Sequence, residues 1–404
     1  MSTSLLYHAF GVRGYVREST HYVEGGIVFR VRQRPDSLRC PACGSRQVIR
    51  SGTVRRRLKT LPIGARPVSV ELDVQRVACR NCGVVRQVKV PFAHARRSYT
   101  KRFERYALEL SKCMTIQDAA RHLGVSWDLI KDIQKRHLEH NFSRPRLGAL
   151  KRIAIDEICV GKGHRYLTVV LDLGSGAVVF VGQGKGCEAL EPFWRRLKRS
   201  RARIEAVAID MSPAYISAVL ENLPDAAIVF DRFHLMKLFN HKLSQLRRKL
   251  YGELTDLMHK KLLKGTRWLL LKNPENLDPQ RNERQRLEEA LRINQPLAAA
   301  YYMKEDLRQF WEQPDKAAAQ AFLDDWIARA RASKIRMLMK FADTLVAHCW
   351  GLLTYYDFPI STAALEATNN KIKTMQRQAY GFRDKQFFKL KIYALHEARC
   401  KLVG

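Results

Sequence analysis

The sequence predicts a multidomain α/β protein in which two small modules precede a mixed α/β core that carries an all-helical insertion. Three observations support this prediction. The chain has 404 residues, about two to three times the length of a typical single domain. Four of its cysteines form two CxxC pairs near the N-terminus. Further on, two apolar segments that each end in aspartate are followed by a long helical stretch.

Positive charge dominates the composition. Lys and Arg number 72 and Asp and Glu number 39, which gives a formal net charge of +33. Residues 30–105 alone contain 20 basic and 4 acidic residues. Such a surplus is poorly tolerated in a compact chain unless a polyanion shares it, so nucleic acid is the expected partner. An anionic membrane surface is the weaker alternative, because the sequence has no basic amphipathic anchor and no lipidation motif.

The apolar content bears on where the protein resides. Hydrophobic residues make up 46% of the chain, which is enough for substantial cores. No run approaches the length of a membrane span, and the first residues lack the pattern of a secretory signal. A soluble, cytoplasmic protein is therefore expected.

The first module, residues 1–95, is expected to be a zinc ribbon. Cys40, Cys43, Cys79 and Cys82 form two CxxC pairs with 35 residues between them. Two thiolates at i and i+3 can face one ion, and two such pairs complete a closed tetrahedral zinc site. Strand-like segments at Val48-Ile49 and 68–72 lie between the pairs. Basic residues around the site are predicted to contact DNA phosphates: Arg50, Arg55, Arg56, Arg57 and Lys59.

The second module, residues 96–145, is expected to be a helix-turn-helix domain. A helix is predicted over 101–111, and Thr115 is placed to begin a second one. Gly124 permits a sharp turn, after which Ser126 can cap a helix running to Leu138. In a helix-turn-helix unit this last helix enters the major groove. Its outward-facing side chains are the predicted DNA-reading residues: Ser126, Trp127, Lys131 and Lys135.

The third module covers residues 146–404, and its start overlaps a predicted linker, 145–151. Three strands in a meander, a helix and a fourth strand are predicted over 152–210, which is the element order of the ribonuclease-H-like fold. In that fold the first and fourth strands are neighbours, so Asp156 and Asp210 are expected side by side. Two adjacent carboxylates favour a hard cation such as Mg²⁺ or Mn²⁺. Strand-terminal aspartates are also common as plain turn residues, and this second interpretation stays open at this point.

Four motifs of the third module resemble the bacterial insertion-sequence DDE transposases of the ISL-three (ISL3) family. The zinc ribbon and the helix-turn-helix match the family too, so the resemblance covers nearly the whole chain. The motifs are IAIDEI around Asp156, VAIDMSPAY around Asp210, FDRFHLMKL over 230–238, and LEATNNKIKTMQRQAYGFRD over 365–384.

The resemblance implies a metal-binding catalytic triad of Asp156, Asp210 and Glu366, and active-site support from Asp231 and His234. It also implies double-stranded DNA as partner, namely the terminal inverted repeats and the target, and a homo-oligomer that brings two ends together. The expected location is the bacterial cytoplasm, on the nucleoid when DNA is bound. From the residues alone, Glu366 falls in the first turns of a helix that Ser361 can cap. Lys371, Lys373 and Arg377 give that helix a basic face suited to DNA.

The segment from about 240 to 356 is predicted to be a helical insertion within the core. Its four tryptophans are expected to be buried in a helical bundle: Trp268, Trp311, Trp326 and Trp350. Two alternatives to a transposase remain at this point. One is a domesticated, non-catalytic DNA-binding regulator, against which three retained carboxylates argue. The other is a ribonuclease-H-like nuclease, which would not need two DNA-binding modules.

Overall fold

The computed structural model describes residues 4–161, 163 and 165–396, and the chain divides into two units within this range. Residues up to Ser143 form the first unit and Arg144–His396 form the second. The predicted zinc ribbon and helix-turn-helix therefore lie together in one unit. Among the described residues, no helix combines the length and the apolar character needed to cross a membrane.

The described residues of the first unit form a five-stranded sheet and four α-helices. Its elements are α1 (Leu5–Phe10), β1 (Tyr15–Val23), β2 (Gly26–Gln33), β3 (Val48–Ile63), β4 (Arg66–Cys79), β5 (Val85–Gln87), α2 (Lys101–Cys113), α3 (Ile116–His122) and α4 (Trp127–Phe142). The sheet order is β1-β2-β4-β3, and β5 also pairs with β4. The strand-like segments expected near the cysteines are thus parts of the long antiparallel pair β3–β4.

Alternation of apolar and polar residues explains how this sheet buries one face. Along β4, Val68, Val70, Leu72 and Val74 are all buried, and the residues between them are more exposed. Such a period of two gives a sheet one core face and one solvated face.

The helix-turn-helix prediction is confirmed in detail. The Thr115 side chain accepts a hydrogen bond from the Asp118 N–H at 3.1 Å, and Ser126 accepts one from the Leu129 N–H at 3.3 Å. These caps begin α3 and α4, since the first amides of a helix lack intrahelical partners. Gly124 adopts a φ of +58° in the turn between them, a conformation that glycine tolerates best.

The second unit contains the predicted ribonuclease-H-like sheet. Its strands are β6 (Arg152–Gly161), β7 (Arg165–Asp172), β8 (Val178–Gln183), β9 (Ala206–Ile209) and β10 (Ala227–Phe230). The order is β10-β9-β6-β7-β8. β6, β7 and β8 pair antiparallel, and β9 pairs parallel with both β6 and β10. The first and fourth strands of the core are neighbours, as predicted.

Helices account for the rest of the second unit. They are α5 (Cys187–Lys198), α6 (Pro213–Asn222), α7 (Arg232–Glu253), α8 (Leu257–Lys264), α9 (Arg267–Leu271), α10 (Glu283–Arg292), α11 (Gln295–Arg308), α12 (Lys316–Ala332), α13 (Arg336–Leu353), α14 (Ala363–Gln378) and α15 (Lys385–Tyr393). The predicted insertion is helical, but its first helix, α7, already begins at Arg232, directly after β10.

Two details of the sequence prediction need correction. The expected linker 145–151 is packed, because Leu147 and Leu150 are buried in the same core as the sheet. Only two of the four tryptophans are core residues. Trp326 and Trp311 are buried, whereas Trp268 is 65% exposed and Trp350 is 43% exposed. A helical pattern alone does not show which turns of a helix a neighbouring helix covers.

Gly182 sets how closely α5 packs on the sheet. This residue is buried in β8, and a Cβ there would overlap the carbonyl oxygen of Ala189 in α5 and lie 3.1 Å from the Phe180 ring. A methyl group at this position would force the helix away from the strand.

We expect Gly182→Ala to lower the free energy of unfolding of the second unit by about 1–3 kcal/mol, the usual cost of overpacking a core. Urea unfolding followed by circular dichroism measures the shift. Gly174→Ala is the matched control, because it is exposed and its Cβ would meet only the Asp172 side chain, at 3.4 Å. Equal stability of the two variants would contradict the packing argument.

Candidate active site and nucleic-acid interface

The four cysteines of the two CxxC pairs converge on one point. Their sulfur atoms all lie within 4.8 Å of one another, with Cys40 and Cys82 3.6 Å apart and Cys43 and Cys79 also 3.6 Å apart. Ligands at the ~2.3 Å Zn–S distance in a tetrahedron lie about 3.8 Å from each other. The spacing of the sulfurs therefore fits a structural zinc ion.

The electrostatics of the cluster also favour a cation. Backbone N–H groups of Cys43 and Ala42 hydrogen-bond to the Cys40 sulfur and lower the pKa of its thiol to about 6. A hydrogen bond from the Cys82 backbone N–H likewise lowers the pKa of Cys79. Thiolates crowded at this distance repel one another, and zinc relieves that repulsion because it binds sulfur in the deprotonated form.

The predicted phosphate-contacting cations of β3 have different surroundings. Arg55 pairs with Asp73 at 3.4 Å, and Arg56 donates to the carbonyl oxygens of His94 and Arg97. Lys59 donates to the carbonyl of Gly124, the turn residue between α3 and α4, at 2.5 Å. Arg57 is exposed and has no ion pair among the described residues. The sheet and the helix-turn-helix are thus tied together by Lys59.

The predicted reading residues lie on one side of α4. Ile130 and Ile133 on the other side are fully buried. Trp127 is 41% exposed, and the Lys131 ammonium lies 5.2 Å from the centre of its ring. Lys135 is half-buried, and the Ser126 hydroxyl is engaged as the helix cap.

Parallel register aligns three aspartates at one edge of the catalytic sheet. Ala154 pairs with Ala208, and Phe230 pairs with Ile209. Continuing these registers places Asp156 opposite Asp210, and Asp210 opposite Asp231. Adjacent strands lie about 4.8 Å apart and paired residues share a face, so the three carboxylates form a row.

Asp210 is close enough to Asp156 to affect the pKa of the Asp156 carboxyl. Burial raises the pKa of Asp156, and the negative charges of Asp210 and Glu157 add to the increase. The backbone N–H of Glu157 and the side-chain amide of Asn369 donate to the Asp156 carboxylate at 2.7 and 2.9 Å. Asp210 accepts a hydrogen bond from the Ser212 N–H at 3.0 Å.

In the described part of the chain, Asp231 has more hydrogen-bond partners than either of the other two aspartates. It is 3% exposed, and it accepts hydrogen bonds from the Thr362 N–H at 3.1 Å and from the His234 N–H at 3.1 Å. Burial disfavours its charge, but the hydrogen bonds from His234 and Thr362 outweigh that effect and lower its pKa. Thr362 directly precedes α14, so Asp231 fixes the start of the helix that carries Glu366.

His234 links Asp231 to the predicted metal ligands. Its Nδ1 lies 3.0 Å from Asp231, and its Nε2 lies 4.0 Å from Asp156. The hydrogen bond with Asp231 raises the pKa of His234, and the Asp156 and Asp210 carboxylates add to the increase. In its protonated form the histidine therefore places a positive charge beside Asp156.

Glu366 lies in the first turn of α14, as predicted, but the helix begins differently. Thr362 rather than Ser361 directly precedes it, and the Asp231 carboxylate accepts the Thr362 N–H. Asn369, three residues after Glu366, donates to Asp156. Residues three apart on a helix have Cβ atoms about 5–6 Å apart. Glu366 is therefore a neighbour, on the surface of α14, of the residue that contacts Asp156.

The three predicted ligands do not form a tight cluster among the described residues. Among the described residues, the group of metal-ligand side chains whose donor atoms all lie within 4.8 Å is the cysteine cluster. Glu157, next to Asp156, contacts a different element: its carboxylate accepts from the Tyr215 hydroxyl of α6 at 3.4 Å. Successive residues of a strand point to opposite faces of the sheet, so Glu157 points away from Asp156.

The predicted basic face of α14 is exposed to solvent. Ile372 is fully buried and anchors one side of the helix. The rest of the helix surface carries the exposed cations Lys371, Lys373 and Arg377.

Sequence reasoning missed Asn369, which is 6% exposed and whose Oδ1 has no hydrogen-bond partner among the described residues. The sequence did contain a signal: Asn369 is a polar residue on the same side of the helix as the apolar Leu365 and Ile372, one turn after Glu366. A polar residue on a buried face indicates a specific hydrogen bond. Thr362 was also missed, because its role depends on a backbone amide that any residue except proline provides.

Comparisons with known proteins agree with this architecture. A family model described as a transposase matches residues 153–392, a second for the helix-turn-helix domain of transposase family ISL3 matches 88–138, and a third for the zinc finger of transposases of IS204, IS1001, IS1096 and IS1165 matches 36–82. These family matches, which together cover the sheet and both DNA-binding modules, define the protein as a DNA transposase.

The chain belongs to the ISL3 family of transposases. It is 32% identical to the transposase for insertion sequence element IS1001 of Bordetella parapertussis, over 95% of this chain and 96% of the relative. It is 28% identical to that for IS1557 of Mycobacterium tuberculosis, over 89% and 86%. A solved Drosophila P element transposase strand transfer complex aligns with a TM-score of 0.39 and 12% identity, over 75% of this chain and 93% of that chain.

The zinc site leads to a first functional prediction. Purified protein should contain about one Zn²⁺ per chain, and Cys79→Ser should lose the ion, loosen the ends of β3 and β4 and weaken DNA binding. Metal analysis and a binding assay check this. Cys113→Ser, an exposed cysteine outside the cluster, should retain both zinc and binding. Protein that binds DNA fully without zinc would contradict a structural role.

Proposed function

We propose that this transposase binds the terminal inverted repeats of its insertion sequence and cuts and joins DNA strands at a magnesium site formed by Asp156, Asp210 and Glu366. The observation that carries the proposal is the shared register of β6 and β9, which sets Asp156 beside Asp210. The Asn369–Asp156 hydrogen bond holds α14, the helix that contains Glu366, against the same edge of the sheet.

The donor set suits a hard cation. All three proposed ligands are carboxylates, and Mg²⁺ or Mn²⁺ prefers oxygen. Asp156 is largely buried beside a second acid, and bringing a cation there compensates both charges. When bound, paired Mg²⁺ ions activate the attacking oxygen and stabilise the leaving oxygen in phosphodiester chemistry.

The chain's own residues hold the strands for two successive reactions. A water molecule attacks the phosphodiester at the element end, which leaves a 5′-phosphate on one side of the cut and a 3′-hydroxyl on the other. This 3′-hydroxyl then attacks a phosphodiester of the target DNA and displaces the target's own 3′-hydroxyl. No covalent bond between protein and DNA is required. Lys371, Lys373 and Arg377 face solvent on α14, where they neutralise the phosphates that flank the reacting bond. Asp231 and His234 act as positioning residues, because they fix the start of α14 and the charge beside Asp156.

The first unit supplies recognition. α4 is proposed to read base edges with Trp127, Lys131 and Lys135, while Arg57 contacts phosphate. Lys59 holds the turn of the helix-turn-helix against β3, so the two modules bind DNA as one body. Joining two element ends requires two copies of the chain, and a dimer on DNA is therefore proposed.

The catalytic assignment is tested by conservative substitutions. Asp156→Asn, Asp210→Asn and Glu366→Gln each remove one charge, so Mg²⁺-dependent cleavage of element ends should fall by orders of magnitude while DNA affinity is unchanged. Glu157→Gln is the matched control, since it neutralises the neighbouring acid that faces Tyr215, and it should retain most activity. We expect Asp231→Asn and His234→Gln to fall in between. A Glu366→Gln protein that cuts at the wild-type rate would refute the triad.

The division between positioning and reading is tested by salt titration. Arg57→Gln should weaken binding to all sequences and reduce the slope of log K against log salt by about one. Lys131→Gln should instead reduce discrimination between terminal-repeat and random DNA. Arg284→Gln, an exposed arginine in α10, controls for loss of charge alone. Identical behaviour of Arg57→Gln and Lys131→Gln would contradict the assignment.

A further inference from the structure

A cavity of about 320 Å³ adjoins the proposed catalytic glutamate. Glu366 and Ala363 of α14 form one side of it, α7 forms another, and Leu271 and Asn273 contribute a third. Its volume lies at the lower end of the range for small-molecule sites. Asp231, at the end of the row of aspartates, also lines the cavity, whereas the zinc site and the other two aspartates do not.

The α7 side of the cavity is a defined helix face. Phe233, Met236 and Asn240 are spaced i, i+3 and i+7, so they lie in line along the helix. Leu235 and Phe239 are buried in the core and hold the helix in place. Phe233 is 46% exposed, so part of its ring is open to a ligand beside Glu366.

Two polar groups of the cavity have unused bonding capacity. The Oδ1 atom of Asn240 is buried and has no hydrogen-bond partner among the described residues. The exposed Arg232 guanidinium stacks on the Trp311 ring at 5.0 Å and has no carboxylate partner in the described part of the chain. Lys304 and Arg308, by contrast, are both paired with Glu305, at 2.6 Å each.

An open aromatic ring, an amide and a cation together match a ligand with a flat face, a hydrogen-bonding edge and a negative charge. We propose that the cavity binds one nucleotide of the cleaved DNA strand, rotated out of the duplex next to the bond that is cut. Phe233 stacks on the base, Asn240 hydrogen-bonds to its edge, and Arg232 contacts its phosphate. This inference rests on the proposed function, because it places the nucleotide beside Glu366.

Rotating a nucleotide out of the stack costs less when its base is mismatched, and this gives the test. Element-end duplexes carrying a single mismatch at each position around the cleavage site are cut by the full-length wild-type protein and by Phe233→Ala. On paired DNA, we expect Phe233→Ala to cut about 10-fold more slowly, the order of one lost base–aromatic stack. A mismatch at one position should restore most of that rate, with unchanged DNA affinity.

Asn240→Leu should show the same defect and the same rescue position, and Trp268→Ala, an exposed tryptophan elsewhere in the helical insertion, should show neither. Wild-type cutting rates for Phe233→Ala, or a defect that is equal at every mismatch position, would overturn the pocket assignment, since a purely structural role does not depend on base pairing. Failure of the proposed function is distinct: in that case wild-type protein would not cut element ends with Mg²⁺, or Asp156→Asn would.

Discussion

The parallel register of β6, β9 and β10 is the constraint on which the catalytic unit depends. It places an aspartate at the same level of three adjacent strands, and it does so through backbone hydrogen bonds that require no particular side chain. A shift of one residue in any strand would turn its aspartate to the opposite face. The runs before each aspartate are buried on both faces of the sheet, so a shift would move Ile153, Val207 and Ile228 out of the positions in which they are packed.

Identical residues in this row have different roles because their neighbours differ. Asp231 receives two backbone amides and a histidine, so its charge is satisfied within the protein and it anchors α14. Asp156 is bonded by one backbone amide and one side-chain amide and lies beside another acid. Buried charge without full compensation is unfavourable. At the sheet edge, the Asp156 and Asp210 carboxylates therefore repel each other at the position where a cation is proposed to bind.

The zinc ribbon, the helix-turn-helix and the strand order were predictable because each depends on local patterns: cysteine spacing, capping residues, and apolar runs between turns. The third acid was not predictable from the residues alone, since 155 residues lie between Asp210 and Glu366 and only the family motif linked them. Asn369, Thr362 and the exposed Trp268 escaped prediction for a related reason. Their surroundings come from elements distant in sequence, and helical periodicity does not specify which neighbour covers which turn.

The helical insertion has a structural consequence for the site that its sequence does not suggest. α7 begins at the residue after Asp231, so the helix that leads into the insertion is also the wall beside the row of carboxylates. Its buried face, with Leu235 and Phe239, packs into the same core as the sheet. Two contacts thus fix the position of Phe233 and Asn240 relative to Glu366: the Asp231–Thr362 hydrogen bond and the packing of α7 on the core. A long insertion between the second and third acids is compatible with a precise site because its two ends are joined. The chain leaves the sheet at Asp231 and returns at Thr362, and a hydrogen bond connects these two residues.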